Sequence, residues 1–128
     1  MRRIAGILIL AFVAGCGDPE PAPPPTLSEI ETDIFAKSCA FSTCHKGASP
    51  AGGISLDGST YAQLVNKESA VVPGKILVVP GDPAASYLYE KLIQAKPAMG
   101  TQMPPTAPLS AARLETIEAW ITAGAKND

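Results

Sequence analysis

The sequence predicts a small all-α domain of three main helices joined by long loops, and three observations predict it. Apolar residues recur at helical spacing in a capped stretch over residues 27–38 and in another over 110–124. A third stretch, 82–94, begins with Asp-Pro, a combination suited to an N-cap and first helical turn. The segments between them are rich in glycine and proline, which mark turns and loops.

Residues 1–15 read as a signal peptide. Arg2 and Arg3 give a basic start, and the apolar run from Ile4 to Val13 is too short to span a bilayer as a mature helix. The run ends in Val13-Ala14-Gly15-Cys16, which resembles the lipobox of bacterial lipoproteins, where the cysteine becomes the lipidated first residue. The alternative is an ordinary secretory signal followed by a leftover cysteine. Lipidation of Cys16 would account for the odd cysteine count, because the other two cysteines share one motif. Residues 16–25 form the anchor and a proline-rich linker without core-forming residues. Proline fixes φ and removes donors, so the linker is expected to be extended, at about 3.1 Å per residue, and to hold a domain roughly 25–30 Å from its anchor.

Residues 26–128 suffice for one domain. In the first helix, Thr26 with Glu29 or Ser28 with Glu31 offers a capping box, and Leu27, Ile30, Ile34 and Phe35 form the apolar stripe. Residues 46–53 are a loop, 54–57 a short extended piece, and 61–65 a short helix. Pro73-Gly74 and Pro80-Gly81 mark turns around the apolar run 76–79, a small hairpin or a loop beside a cofactor. The second helix is expected from Asp82 to about Gln94, with Leu88 and Leu92 on its apolar face. The third starts at Ser110 after Leu109, places Leu114, Ile117, Trp120 and Ile121 on one face, and ends at Gly124 in the left-handed position.

Charge excludes one class of partner. Without Arg2 and Arg3 the basic count of 10 falls to 8 against 12 acidic residues, a net charge of −4. Nucleic-acid binding needs a basic face, so none is expected. Aromatic content is only 5%, so the core is thin and a covalent staple would help it.

The chemistry sits in Cys39-Ala40-Phe41-Ser42-Thr43-Cys44-His45, which holds the only histidine. Two thiols followed at once by an imidazole are the pattern of covalent haem attachment, with the histidine as axial ligand. The usual spacing is two residues and here it is four, similar to a variant found in some multihaem cytochromes. Thiols five positions apart on a straight helix point roughly 140° apart, so residues 40–43 must loop out if both meet one porphyrin. Two other readings stand beside this one: a short-loop disulfide between Cys39 and Cys44, and another metal site, for which a fourth zinc ligand is missing. A methionine in the proline-bounded segment 98–105 is a candidate second axial ligand, because proline stiffens the backbone beside the thioether. Met103 is the first candidate and Met99 the second; a surface-loop methionine is the alternative. Asp57, Glu90, Glu115 and Glu118 read as scattered surface carboxylates. Tyr61, Tyr87 and Tyr89 read as crevice or core. No general base, nucleophile or substrate constellation is evident, so no enzyme activity is expected.

The order of these pieces resembles a small class I cytochrome c domain, and the wording resembles the cytochrome c-like domains of planctomycetes and myxobacterial lipoproteins. The matching phrases are Ile34-Phe35, Gly53-Ile54-Ser55-Leu56, the run from Val79-Pro80-Gly81-Asp82-Pro83 to Tyr87-Leu88, Met103-Pro104, and Trp120-Ile121-Thr122-Ala123-Gly124-Ala125. The resemblance implies one haem c per chain held by Cys39 and Cys44, with His45 and Met103 on the iron. It also implies electron exchange with redox partner proteins on the periplasmic side of a bacterial envelope, the chain being tied to a membrane through Cys16. The haem-free alternative is a disulfide-stapled envelope lipoprotein acting as a binding or structural module.

Overall fold

The computed structural model describes residues 20–128. The signal-peptide and Cys16 lipidation readings therefore lie outside the described residues, as does the start of the linker. Residues 20–25 carry no helix, and all but Pro25 are exposed. Among the described residues the domain is all-α, with no strand and with no helix long and apolar enough to cross a membrane.

Helix α1 occupies residues 27–38. Thr26 caps it by the reciprocal box: its hydroxyl accepts the Glu29 N–H at 3.2 Å, and the Glu29 carboxylate accepts the Thr26 N–H at 2.9 Å. The helix departs from the uniform winding that the sequence pattern suggested. An α turn, Leu27–Ile30, leads into a π-helical stretch, Glu31–Phe35, before the last turn, Ala36–Ser38. In the stretch the Ala36 N–H reaches back five residues to the Glu31 carbonyl. The wider winding lets the sequence neighbours Ile34 and Phe35 share the buried side with Leu27 and Ile30.

Helix α2 is Thr60–Leu64, α3 is Tyr87–Ile93 and α4 is Ala111–Thr122. Helix α3 is shorter than the expected 82–94, and Asp82 does not cap it. The Asp82 carboxylate instead accepts the Ala85 N–H at 3.0 Å, and the Ser86 N–H bonds the Pro83 carbonyl, which closes a separate turn. Ser86 then sits in extended conformation. Its buried hydroxyl accepts the Val79 N–H at 2.9 Å and donates to the Asp82 carbonyl at 2.8 Å, so it ties two turns together rather than starting a helix. The open N–H groups of Tyr87 and Leu88 are taken by the carbonyls of Ile76 and Leu77, both at 2.9 Å. The apolar run 76–79 pairs back onto residues 64–69 through isolated bridges rather than forming a hairpin between the two Pro-Gly turns.

Helix α4 ends as its sequence suggests. Gly124 has φ +100°, the Ala125 N–H bonds the Trp120 carbonyl and the Gly124 N–H bonds the Ile121 carbonyl, which is the double-bonded glycine stop. Helices α1 and α4 pack together. Ile30, Ile34, Phe35, Ile117, Trp120 and Ile121 form the buried centre, with Leu114 half-buried at its margin. The Trp120 indole N–H is satisfied by the Lys126 carbonyl at 2.9 Å, so the largest core side chain is enclosed without an orphaned donor.

Trp120→Ala is expected to destabilise the domain by about 3–5 kcal/mol, because it deletes a fully buried ring at the α1–α4 contact. Chemical denaturation checks this, and a change below about 1 kcal/mol would place the ring outside the core.

Candidate functional site

The site begins where α1 stops. Cys39 leaves helical geometry (φ −130°, ψ −42°), and the N–H groups of Cys39 and Ala40 both end on the Phe35 carbonyl at 2.8 Å. The chain then turns tightly: Phe41 N–H bonds the Cys39 carbonyl, Cys44 N–H bonds the Phe41 carbonyl, and His45 N–H returns to the Cys39 carbonyl at 3.1 Å. The four residues between the cysteines are thus looped out, and the backbones at Cys39 and His45 meet. Both thiols are free. Cys39 packs against the core, whereas Cys44 lies beside the Thr43 hydroxyl at 3.6 Å. Burial pushes the Cys39 thiol up to about 11, the neighbouring Cys44 adds to the effect, and Arg113 opposes it.

The loop after His45 swings back over the motif. Gly52 and Gly53 adopt left-handed φ values of +63° and +72°, which side-chain-bearing residues rarely take. The return lets Ala51 N–H bond the Cys44 carbonyl and Leu56 N–H bond the His45 carbonyl, both at 2.8 Å. It also sets the Ile54 carbonyl 3.1 Å from His45 Nδ1. A carbonyl can only accept, so Nδ1 carries the proton in the neutral ring and the lone pair of Nε2 is left for a ligand-binding role. Metal-bound imidazoles are oriented by bonds of this kind.

Met103 stands on a different support. It is half-buried against the core, its N–H bonds the Lys91 carbonyl of α3 at 2.7 Å, and the Met103–Pro104 peptide is cis. Met99 is 52% exposed. Glu90 is not the solvated surface carboxylate that its isolation in the sequence suggested. Its side chain is 12% exposed, and it accepts from Lys75 Nζ at 2.6 Å and from the Ala98 N–H at 2.7 Å. The Lys75 hydrogen bond, then the Ala98 N–H, hold its carboxyl below the usual range. Tyr87 is core, and Tyr89 donates to Glu118 at 2.7 Å. Two contributors escape a sequence reading. The Ile54 carbonyl is a backbone group with no residue signature. The grip of α3 on the methionine segment depends on a contact that only the fold creates. An open cleft of ≈ 330 Å³ adjoins Ile54 between Gly52, Gly53, Gln63 and Leu77, and none of the two cysteines, His45 or Met103 lines it. Among the described residues no three His, Cys, Asp or Glu side chains converge as a metal site.

The family model for planctomycete cytochrome c matches residues 42–107, just over half of the sequence. The chain belongs to the planctomycete cytochrome c family. The matched span of this cytochrome c-like domain carries Cys44, His45 and Met103, while Cys39 precedes it. No curated protein and no solved structure matches the chain.

The burial of the Cys39 thiol can be measured in reduced protein. At pH 8 a thiol with a pKa of about 11 is roughly one-thousandth thiolate, so iodoacetamide should modify Cys39 slowly, with the rate rising about tenfold per pH unit. Peptide mass spectrometry after timed quenching checks this. A Cys39 rate at pH 8 equal to that of a free model thiol would contradict its burial.

Proposed function

We propose that this domain is a single-haem c-type cytochrome module for electron transfer in the cell envelope. The observation that carries the reading is the bond between His45 Nδ1 and the Ile54 carbonyl, which frees Nε2 and fixes the ring in one tautomer. The donor set suits a tetrapyrrole better than a bare ion. A protein-only metal site needs several converging side chains. A tetrapyrrole brings four nitrogens of its own and asks the protein for one or two axial ligands. One anchored imidazole, one half-buried thioether and two free thiols in one loop answer that need.

In this reading Cys39 and Cys44 would hold the haem through thioethers, and His45 and Met103 would bind its iron. The haem supplies a one-electron iron couple when bound. The chain's own work is to orient His45 through Ile54, to keep Met103 in place through α3, and to set the polarity around both. The domain is a carrier rather than an enzyme, and its partners are redox proteins. Lipidation at Cys16 would keep it on the periplasmic side of a bacterial membrane, and the residues 16–25 would act as a short tether.

Expression with a competent haem-attachment system should give a red protein whose mass exceeds the chain by one haem. Cys39→Ala combined with Cys44→Ala should abolish covalent haem. Met103→Ala should keep it, lose the weak methionine–iron charge-transfer band and lower the reduction potential. Colourless wild-type protein with a Cys39–Cys44 disulfide would replace this reading with that of a stapled, haem-free module.

Localisation is a separate matter. Cys16→Ser should move the protein from the membrane fraction to the soluble fraction. Retention in the membrane fraction at the wild-type level would remove the lipid anchor.

A further inference from the structure

The segment that carries Met103 has little of its own to hold it. Met99, Gly100 and Thr101 are exposed, and no helix crosses residues 98–103. Its order comes from α3. Glu90 accepts the Ala98 N–H, the Tyr87 hydroxyl reaches the Met99 carbonyl at 3.5 Å, and Gln102 Nε2 donates to the Leu92 carbonyl at 2.7 Å. Lys91 contributes most. Its ammonium donates to the Met99 carbonyl at 2.8 Å and to the Thr101 carbonyl at 2.6 Å, while its own carbonyl accepts the Met103 N–H at 2.7 Å. Gly100, between the two carbonyls, has φ +72°, and a Cβ there would stand 3.4 Å from Lys91 Nζ. The backbone is therefore wrapped around the ammonium, and glycine permits the wrap.

We propose that Lys91 is a positioning residue for Met103: its ammonium, chelated by the carbonyls of Met99 and Thr101, folds residues 99–103 so that the thioether is presented at one register. The proposal rests on the reading of Met103 as an axial ligand. A side-chain cation bound by two carbonyls makes charge-assisted bonds, stronger than the neutral bonds that Tyr87 and Gln102 give the segment. The same residue fixes the amide of Met103 directly, so the clamp and the methionine share one helical residue as their base.

The test uses the full chain loaded with haem and compares Lys91→Met, which keeps an unbranched apolar stem but no donor, with Lys91→Arg, which keeps donors, and with Lys67→Met. Lys67→Met removes the same charge from an exposed side chain away from α3 and residues 98–103. Covalent haem is confirmed by mass. Lys91→Met is expected to lose the methionine–iron charge-transfer band and to raise amide hydrogen exchange at residues 99–103 by about tenfold or more. Lys91→Arg should keep at least about half of the band, and Lys67→Met should leave it at wild-type intensity. A Lys91→Met protein with a wild-type band and unchanged exchange at 99–103 overturns the role of Lys91 while leaving Met103 as ligand. A loaded wild-type protein that shows no such band removes Met103 from the iron and overturns the proposal together with the reading on which it rests.

Discussion

The constraint that shapes this domain is the pairing of backbone polar groups in three long loops. Four helices account for a minority of residues 20–128, and what lies between them has no sheet to supply partners. Each N–H and carbonyl near the core must therefore find an individual acceptor or donor, because a buried unpaired group costs about 1–3 kcal/mol. The structure meets this by re-using helix ends. The free carbonyl of Phe35 takes two N–H groups of the cysteine loop, the open N-terminus of α3 takes the carbonyls of Ile76 and Leu77, and the Gly81 N–H closes onto the Ile121 carbonyl near the end of α4. The Thr60 hydroxyl is the one buried side-chain nitrogen or oxygen among the described residues left without a partner.

The same economy builds the site. His45 and Met103 are held by unrelated devices, one a backbone carbonyl presented by a glycine-rich return, the other a polar clamp on α3. An imidazole ring needs a single orienting bond, because its plane and its tautomer are set together. A thioether offers no comparable handle, since its sulfur accepts only weakly and its side chain has three rotatable bonds. Its position can be fixed only through the backbone that carries it, which is where the bonds to α3 are concentrated.

Much of the fold could be read before any coordinates. Thr26 and Glu29 announced their reciprocal cap, the stripe of Leu114, Ile117, Trp120 and Ile121 announced α4, and Gly124 announced its end, because these signals depend on neighbours within four residues. The start of α3 was misread for the same reason inverted. Asp82-Pro83 is a good local helix start, but the Ser86 hydroxyl bonds groups at both Val79 and Asp82, and that bonding closes a turn ahead of the helix. In the site, the cysteine loop and His45 were legible from residue type and order. The Ile54 carbonyl and the support of Glu90 and Lys91 were not, since one carries no side-chain mark and the other becomes meaningful only once residues 98–103 lie beside α3.

The π-helical stretch in α1 bears on how this chain tolerates change in length. A π turn is an α-helix with one residue more than its turn needs, and the surplus is absorbed without disturbing the ends. In this domain the ends matter: Leu27 and Ile30 are buried on one side of the stretch, and Cys39 follows four residues after the other. Residues 31–35 thus form a phase adjuster between the capped start of the helix and the cysteine loop. A single deletion there would leave a regular helix, perfectly well formed, that aims the motif in a different direction. Helix content would be blind to such a lesion, and only the relative orientation of its two ends would record it.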